Sequence, residues 1–255
     1  GATAAGRVFL AAQAFQDPSA GHATGLLKPA PRCWGGLAFA WAAYTGIGHN
    51  APMTHTAAAI AQTAARLVVE QGLEYGAAKH RALKALGLPA RTSLPDNHLV
   101  EDAVREHLAL FCRDTQPQEL AALRELALSW MLRLEEFGPL LGGVVWRGTA
   151  TRLNNIHLHL FADDAKAVEI VLMDQRVAYE ASQTSGLHGQ TVDVLSLHAW
   201  CEGLQEDVGV HLRINAPHAQ RGSLLADARG EKLRGTVAML RELFRTDENQ
   251  HPAIE

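Results

Sequence analysis

The chain has 255 residues, 47% of them hydrophobic and 20% charged, with Lys and Arg numbering 23 against 27 Asp and Glu. That much apolar material builds a sizeable core and excludes a disordered polar chain, while a net charge of −4 excludes a broad electrostatic clamp for nucleic acid. No run reaches the apolar length of a membrane span, and Cys33, Cys112 and Cys201 are too widely spaced for a zinc ribbon or a disulfide framework, so a reducing cytoplasm is the expected compartment.

Residues 1–52 carry only four formally charged side chains, Arg7, Asp17, Lys28 and Arg32, and hold no sustained period. The apolar run Trp34–Tyr44 is too short to span a bilayer. The expectation is an upstream extension without packed structure, with the folded protein starting at Met53. A small helical lobe around Trp34–Tyr44 is the alternative.

A helical segment is expected over 53–114. Thr56–Gln71 reads as a helix, with Ile60, Ala64, Leu67 and Val68 on one face and Gly72 at its end. Glu74–Leu86 reads as a second, stopped by Gly87-Leu88-Pro89. The pair forms a helical hairpin whose basic residues are its wet face. The third runs about Asn97–Cys112, capped by Asp96 or Asn97, with Leu99, Val104, Leu108 and Phe111 inward.

An α+β domain is expected over 115–255. Thr115 caps a fourth helix with Pro117 in its first turn and a stripe from Leu120 to Leu134; Gly138-Pro139 ends it. Gly143–Trp146 is β-prone, and Ile156–Phe161 alternates strictly, which is a strand signature. Asp163-Asp164 opens a helix over Ala165–Met173, with its acids at the positive end of the dipole. Val177–Glu180, Val192–His198 and Val208–Ile214 read as strands, and Glu231–Phe244 as a final helix. Helices followed by a mixed sheet with one crossover helix make an α+β fold.

The stretch from Gly142 to Glu169 resembles the core of the polymerase-beta-like nucleotidyltransferases. In that family a strand ends in Gly-Ser, and the next strand carries Asp-x-Asp or Asp-x-Glu. Those carboxylates hold magnesium with a third acid from a later strand. The resemblance places Gly148-Thr149 at the Gly-Ser position, as a phosphate-holding turn flanked by Arg147 and Arg152. It places Asp193 at the third acidic position, where it would stabilise charge during in-line attack on an α-phosphate. His157-Leu158-His159 stand where the carboxylate pair belongs. Imidazole suits zinc, nickel or iron better than magnesium, so the resemblance implies a catalytically degenerate protein that binds a nucleotide or another phosphate ligand.

The residues leave two readings of the histidines open. His157 and His159 share one face of a strand, and with Asp193 they would make a two-His, one-carboxylate site for a divalent metal cofactor. Otherwise they belong to a polar sheet face. Gly148-Thr149 likewise reads as a phosphate turn or an ordinary one, and Arg147 and Arg152 as phosphate partners or solvated cations. No serine sits in a nucleophile elbow, which excludes a hydrolase of that kind.

At finer grain, 53–245 is similar to a family of small bacterial proteins often labelled UDP-N-acetylmuramate–alanine ligase. The phrases "AAKHRALKALGLPARTSLPDN" and "VGVHLRI" carry that similarity. Such a ligase needs a Gly-rich loop ending in Gly-Lys-Thr/Ser, and none exists here, so the label stands on family alone. The alternative from another class is a protein-interaction module. A phosphate-bearing small molecule or a protein is thus the expected partner, not nucleic acid or membrane.

Overall fold

A computed structural model describes residues 53–187 and 189–250, so the expectation for 1–52 lies outside the described residues. Helices α1 (Met53–Gln71), α2 (Tyr75–Ala85) and α3 (Asn97–Phe111) pack around their own core of Ile60, Ala64, Val68, Ala82, Val100 and Val104. Asp96 caps α3 by accepting from the Leu99 N–H at 2.7 Å. The inward face of α3 differs from the expected one. Val100, Glu101, Val104 and Leu108 are buried, while Leu99 and Phe111 are exposed. The helix turns its charged Glu101 inward because arginines await it there, as described below.

The second part holds α4 (Gln116–Arg133), β1 (Leu140–Gly142), α5 (Gly143–Arg147), β2 (Ile156–Phe161), α6 (Ala165–Asp174), β3 (Glu180–Ser185), β4 (Thr191–Cys201), β5 (Glu206–Asn215), β6 (Arg234–Gly235) and α7 (Val237–Gln250). Its six strands run in the order β3-β4-β5-β2-β1-β6. Among the described residues only β2 and β5 pair in parallel. Helix α6, capped by Asp164 as expected, lies on the crossover that joins them. This is the α+β architecture expected from the pattern: helices first, then a mixed sheet with a crossover helix. Among the described residues no helix is long and apolar enough to cross a membrane.

One face of the sheet is the core. Ile156, Leu158, Leu160, Leu195, Val210 and Leu212 lie fully buried in one cluster with Leu123, Met131 and Leu134 from α4 or its end and Leu172 of α6. At roughly 1.5–3 kcal/mol for each such side chain, this cluster is the main source of stability.

Three elements differ from expectation. Gly143–Trp146 is helical, because β1 ends a residue earlier and Gly143 turns the chain at φ +70. The two valines favour a strand, but the turn and the burial of Val145 decide. The strand expected at Val177–Glu180 forms instead at Glu180–Ser185, an exposed edge with no apolar alternation to announce it. The final helix begins at Val237 because Arg234-Gly235 are drawn into pairing with β1.

Candidate functional site

Strict alternation in β2 sends Ile156, Leu158 and Leu160 to the core and His157, His159 and Phe161 to the opposite face. Register then fixes their neighbours. His157 lies beside His211 of β5 and Gly142 of β1, and His159 beside Arg213 and Leu140. Arg234 of β6 pairs with Gly142, and Ser196 of β4 with His211. One face therefore carries His157, His159, His211, Arg213 and Arg234.

The rings are held closely. His157 and His211 stack with centroids 5.1 Å apart. Both nitrogens of His211 are engaged, Nδ1 with Ser196 Oγ at 2.8 Å and Nε2 with Asn155 Nδ2 at 3.1 Å. Strand β1 comes so near that a Cβ on Gly142 would lie 3.3 Å from the His159 ring, and one on Gly143 would lie 3.4 Å from His157. The Nδ1 atoms of His157 and His159 are buried without a hydrogen-bond partner among the described residues.

Burial, with Arg213 and His211 nearby, pushes His157 down to about 4. Burial, then Arg234, Arg213 and His157, pushes His159 down to about 3. His211 is lowered by burial first and Arg213 second. All three rings are neutral at neutral pH. Arg234 is itself pushed down by burial and by Arg213.

Acids are scarce on this face. Glu74, at the N-terminus of α2, is 84% exposed at the rim and lies 3.7 Å from His157 Nε2. Glu180 and Asp207 share the face farther out and are exposed. Among the described residues neither Arg213 nor Arg234 has an ion pair; Arg234 donates only to the Ser223 carbonyl at 3.3 Å.

Asp193 does not join this group. Its cross-strand neighbours are Ile214 and Gln183, which places it on the core-side face. It is exposed and accepts from Gln183 Nε2 at 3.0 Å. Among the described residues no three His, Cys, Asp or Glu groups are placed to hold a metal. The structure therefore does not bring Asp193 together with His157 and His159 as one metal set.

The Gly148-Thr149 corner is elsewhere too. It ends α5, with Gly148 at φ +81 facing Arg124 of α4. Gln116 Nε2 donates to the carbonyls of Gly148 and Ala150 at 3.1 and 3.0 Å, and the Thr149 N–H is given to the Val144 carbonyl. Thr149 is buried beside Tyr75, whose hydroxyl is raised by burial and eased by the threonine.

The flanking arginines are committed. Arg147 binds Glu101 at 2.6 and 2.7 Å and approaches Asp227 and Glu231. Arg152 holds Glu206 with both Nε and Nη2. This corner joins the two parts of the molecule, and Thr149 Oγ1 is buried there with no hydrogen-bond partner among the described residues.

Residues missed from sequence are His211, Arg213, Arg234 and the Gly142-Gly143 pair. His211 and Arg213 had a signal, the polar alternation within "VGVHLRI". Arg234 had none, since its strand is two residues long.

The family resemblance implies magnesium at this face. Two imidazoles occupy the carboxylate positions and two guanidiniums flank them, so the residues present do not fit that ion.

No family model matches the chain, and no curated protein matches it in sequence. Among solved structures it is similar to the Cid1 poly(U) polymerase in a MgGTP-bound crystal structure. That match has 16% identity and a TM-score of 0.27, and covers 44% of this chain and 38% of the polymerase chain. The chain thus spans less than half the length of that structure. None of these findings supports the ligase label.

Proposed function

We propose that this chain is a nucleotidyltransferase-like protein that has given up metal-dependent transfer and binds a nucleotide or a related phosphate ligand on its histidine face. One observation carries the reading. Arg213 and Arg234 sit half-buried on the same face with no carboxylate partner among the described residues, beside imidazoles that are neutral. Half-buried cations without a counter-charge are costly, and a phosphate supplies that charge together with acceptors for the guanidinium donors. The resemblance in Gly142–Glu169 implies a phosphate ligand too, but puts it at the Gly148-Thr149 turn and not on β2. The substituted histidines remove the acids that transfer would need.

Isothermal titration of the full chain with ATP, GTP, CTP and UTP tests it. Binding of at least one, lost in Arg213→Gln with the folded state retained, is the expected result. No binding to any nucleotide overturns the reading.

A protein-interaction module is the second reading. It is favoured by a groove of about 710 Å³ between α4 and the end of β4, lined by Leu126, Trp130, Arg133 and Trp200, the last half exposed. Concentration-dependent association in sedimentation, lost in Trp200→Ser, is the result that would support it.

A further inference from the structure

The histidine face is built with the opposite charge from a site that recruits a divalent ion. We infer that it takes a polyphosphate free of divalent metal, so that Mg²⁺ weakens binding instead of supporting it; this rests on the nucleotide-binding reading above.

The geometry supplies three reasons. First, the positions on β2 where a carboxylate pair would chelate a metal hold His157 and His159, and the neighbouring position on β5 holds Arg213. Second, although Nδ1 of His157 and of His159 is unpartnered, among the described residues no three His, Cys, Asp or Glu side chains are placed together to hold the ion. His211 is engaged at both nitrogens, and His159 Nε2 lies against the Gly142 backbone, 3.3 Å from where a Cβ would stand. Third, Arg213 and Arg234 are close enough that each lowers the proton affinity of His159, and Arg213 lowers that of Arg234. A divalent cation brought into such a field is repelled.

The two guanidiniums do in part what a metal does in a transferase: they face phosphate oxygens with positive charge and N–H donors. A nucleoside triphosphate already wrapped around Mg²⁺ has lost about half its charge and some of the oxygens that the arginines would bind. The metal and the arginines therefore compete for the same atoms. Glu74 at the rim offers a single exposed carboxylate, which by itself does not hold Mg²⁺ in place of its water.

The test is titration of the full chain with ATP, GTP, CTP, UTP and inorganic tripolyphosphate, each in EDTA and in excess MgCl₂ at matched ionic strength. The expected result is a Kd about tenfold or more tighter in EDTA, with the difference reduced in Arg234→Gln and in Arg213→Lys, which keeps the charge but not the fork. Tripolyphosphate binding as tightly as the nucleotides would support the inference and assign recognition to the phosphates alone. Equal binding in both arms, or tighter binding with Mg²⁺, overturns the inference and leaves the nucleotide reading standing. Absence of binding in both arms overturns both.

Discussion

Two charged regions of this molecule are built on opposite rules. At the junction between the helical part and the sheet, each named arginine has an acid. Arg147 and Arg105 share buried Glu101, with Glu231 close to both, and Arg229 grips Asp102 at 2.8 and 2.9 Å. On the histidine face, Arg213 and Arg234 have none among the described residues. The first pattern holds two parts of a chain together. The second leaves charge unspent, which stability alone does not favour and ligand binding does. Gly72 belongs to the first pattern: it ends α1 at φ +65, and a Cβ there would come within 2.9 Å of the Leu153 carbonyl.

The largest effect is expected at the junction. Glu101 is 2% exposed, and its removal strands Arg147, itself only 15% exposed, against its weaker partners. Glu101→Ala should therefore cost about 3 kcal/mol or more in chemical denaturation. ATP affinity of the molecules that remain folded should be unchanged. A large loss of affinity with no loss of stability would erase the distinction between the two regions.

The next effect is acid sensitivity of the histidine face. The unfolded rings take a proton near 6.5, while in the fold His157 does so only at about 4 and His159 at about 3. Between those values the unfolded chain binds more protons, so stability rises with pH. The contribution is fully present above 6.5 and is lost as pH falls, to about 4 for His157 and about 3 for His159. The slope is about 1.4 kcal/mol per pH unit for each ring. Denaturation midpoints at neutral and mildly acidic pH should show this slope in the wild type and a flatter one in His157→Gln and His159→Gln. An unchanged slope in both variants would mean that the acid sensitivity lies elsewhere.

A smaller effect has an informative sign. Arg234 is destabilised where it stands, by burial and by Arg213. Arg234→Gln should leave stability within about 1 kcal/mol of wild type or raise it, while weakening nucleotide binding. A substantial loss of stability would put this arginine with those of the junction.

The helices and the two central strands were legible because each carries a period that burial enforces over many residues. Ile156–Phe161 kept its bounds, and the stripe of α4 packs as read, with Leu123, Ala127, Trp130 and Met131 buried. The face of α3 was misread because its buried Glu101 is paired with arginines, a contact no periodicity shows; the misplaced elements share another cause. The elements α5, β3 and β6 are short or exposed, so tertiary pairing and not periodicity decides them. Half of the site was legible, since alternation alone puts His157 and His159 on one face. Alternation within a strand does not say how it registers with its neighbours, and an offset of one residue moves a side chain to the other face. Register is what brings His211 and Arg213 to the histidine face, and it puts Asp193, which the resemblance places at the third acidic position, on the other one. The Gly148-Thr149 corner misled for a related reason: a glycine followed by a hydroxyl residue describes many turns, and this one ends a helix.

The smallest expected effect separates the two accounts of the site most cleanly. If Asp193 completed a metal or phosphate centre, its conversion to the isosteric amide would abolish binding. Its place opposite Ile214 and Gln183 argues otherwise, because the body of the sheet stands between it and the histidines. Its carboxylate is exposed and has a single neutral partner, Gln183 Nε2 at 3.0 Å, an arrangement worth at most about 0.5 kcal/mol at a surface. Asp193→Asn should therefore leave nucleotide affinity, its response to Mg²⁺ and the denaturation midpoint at their wild-type values, measured beside Arg213→Gln in the same titration. Loss of binding in Asp193→Asn with retention in Arg213→Gln would move the site to the other face of the sheet.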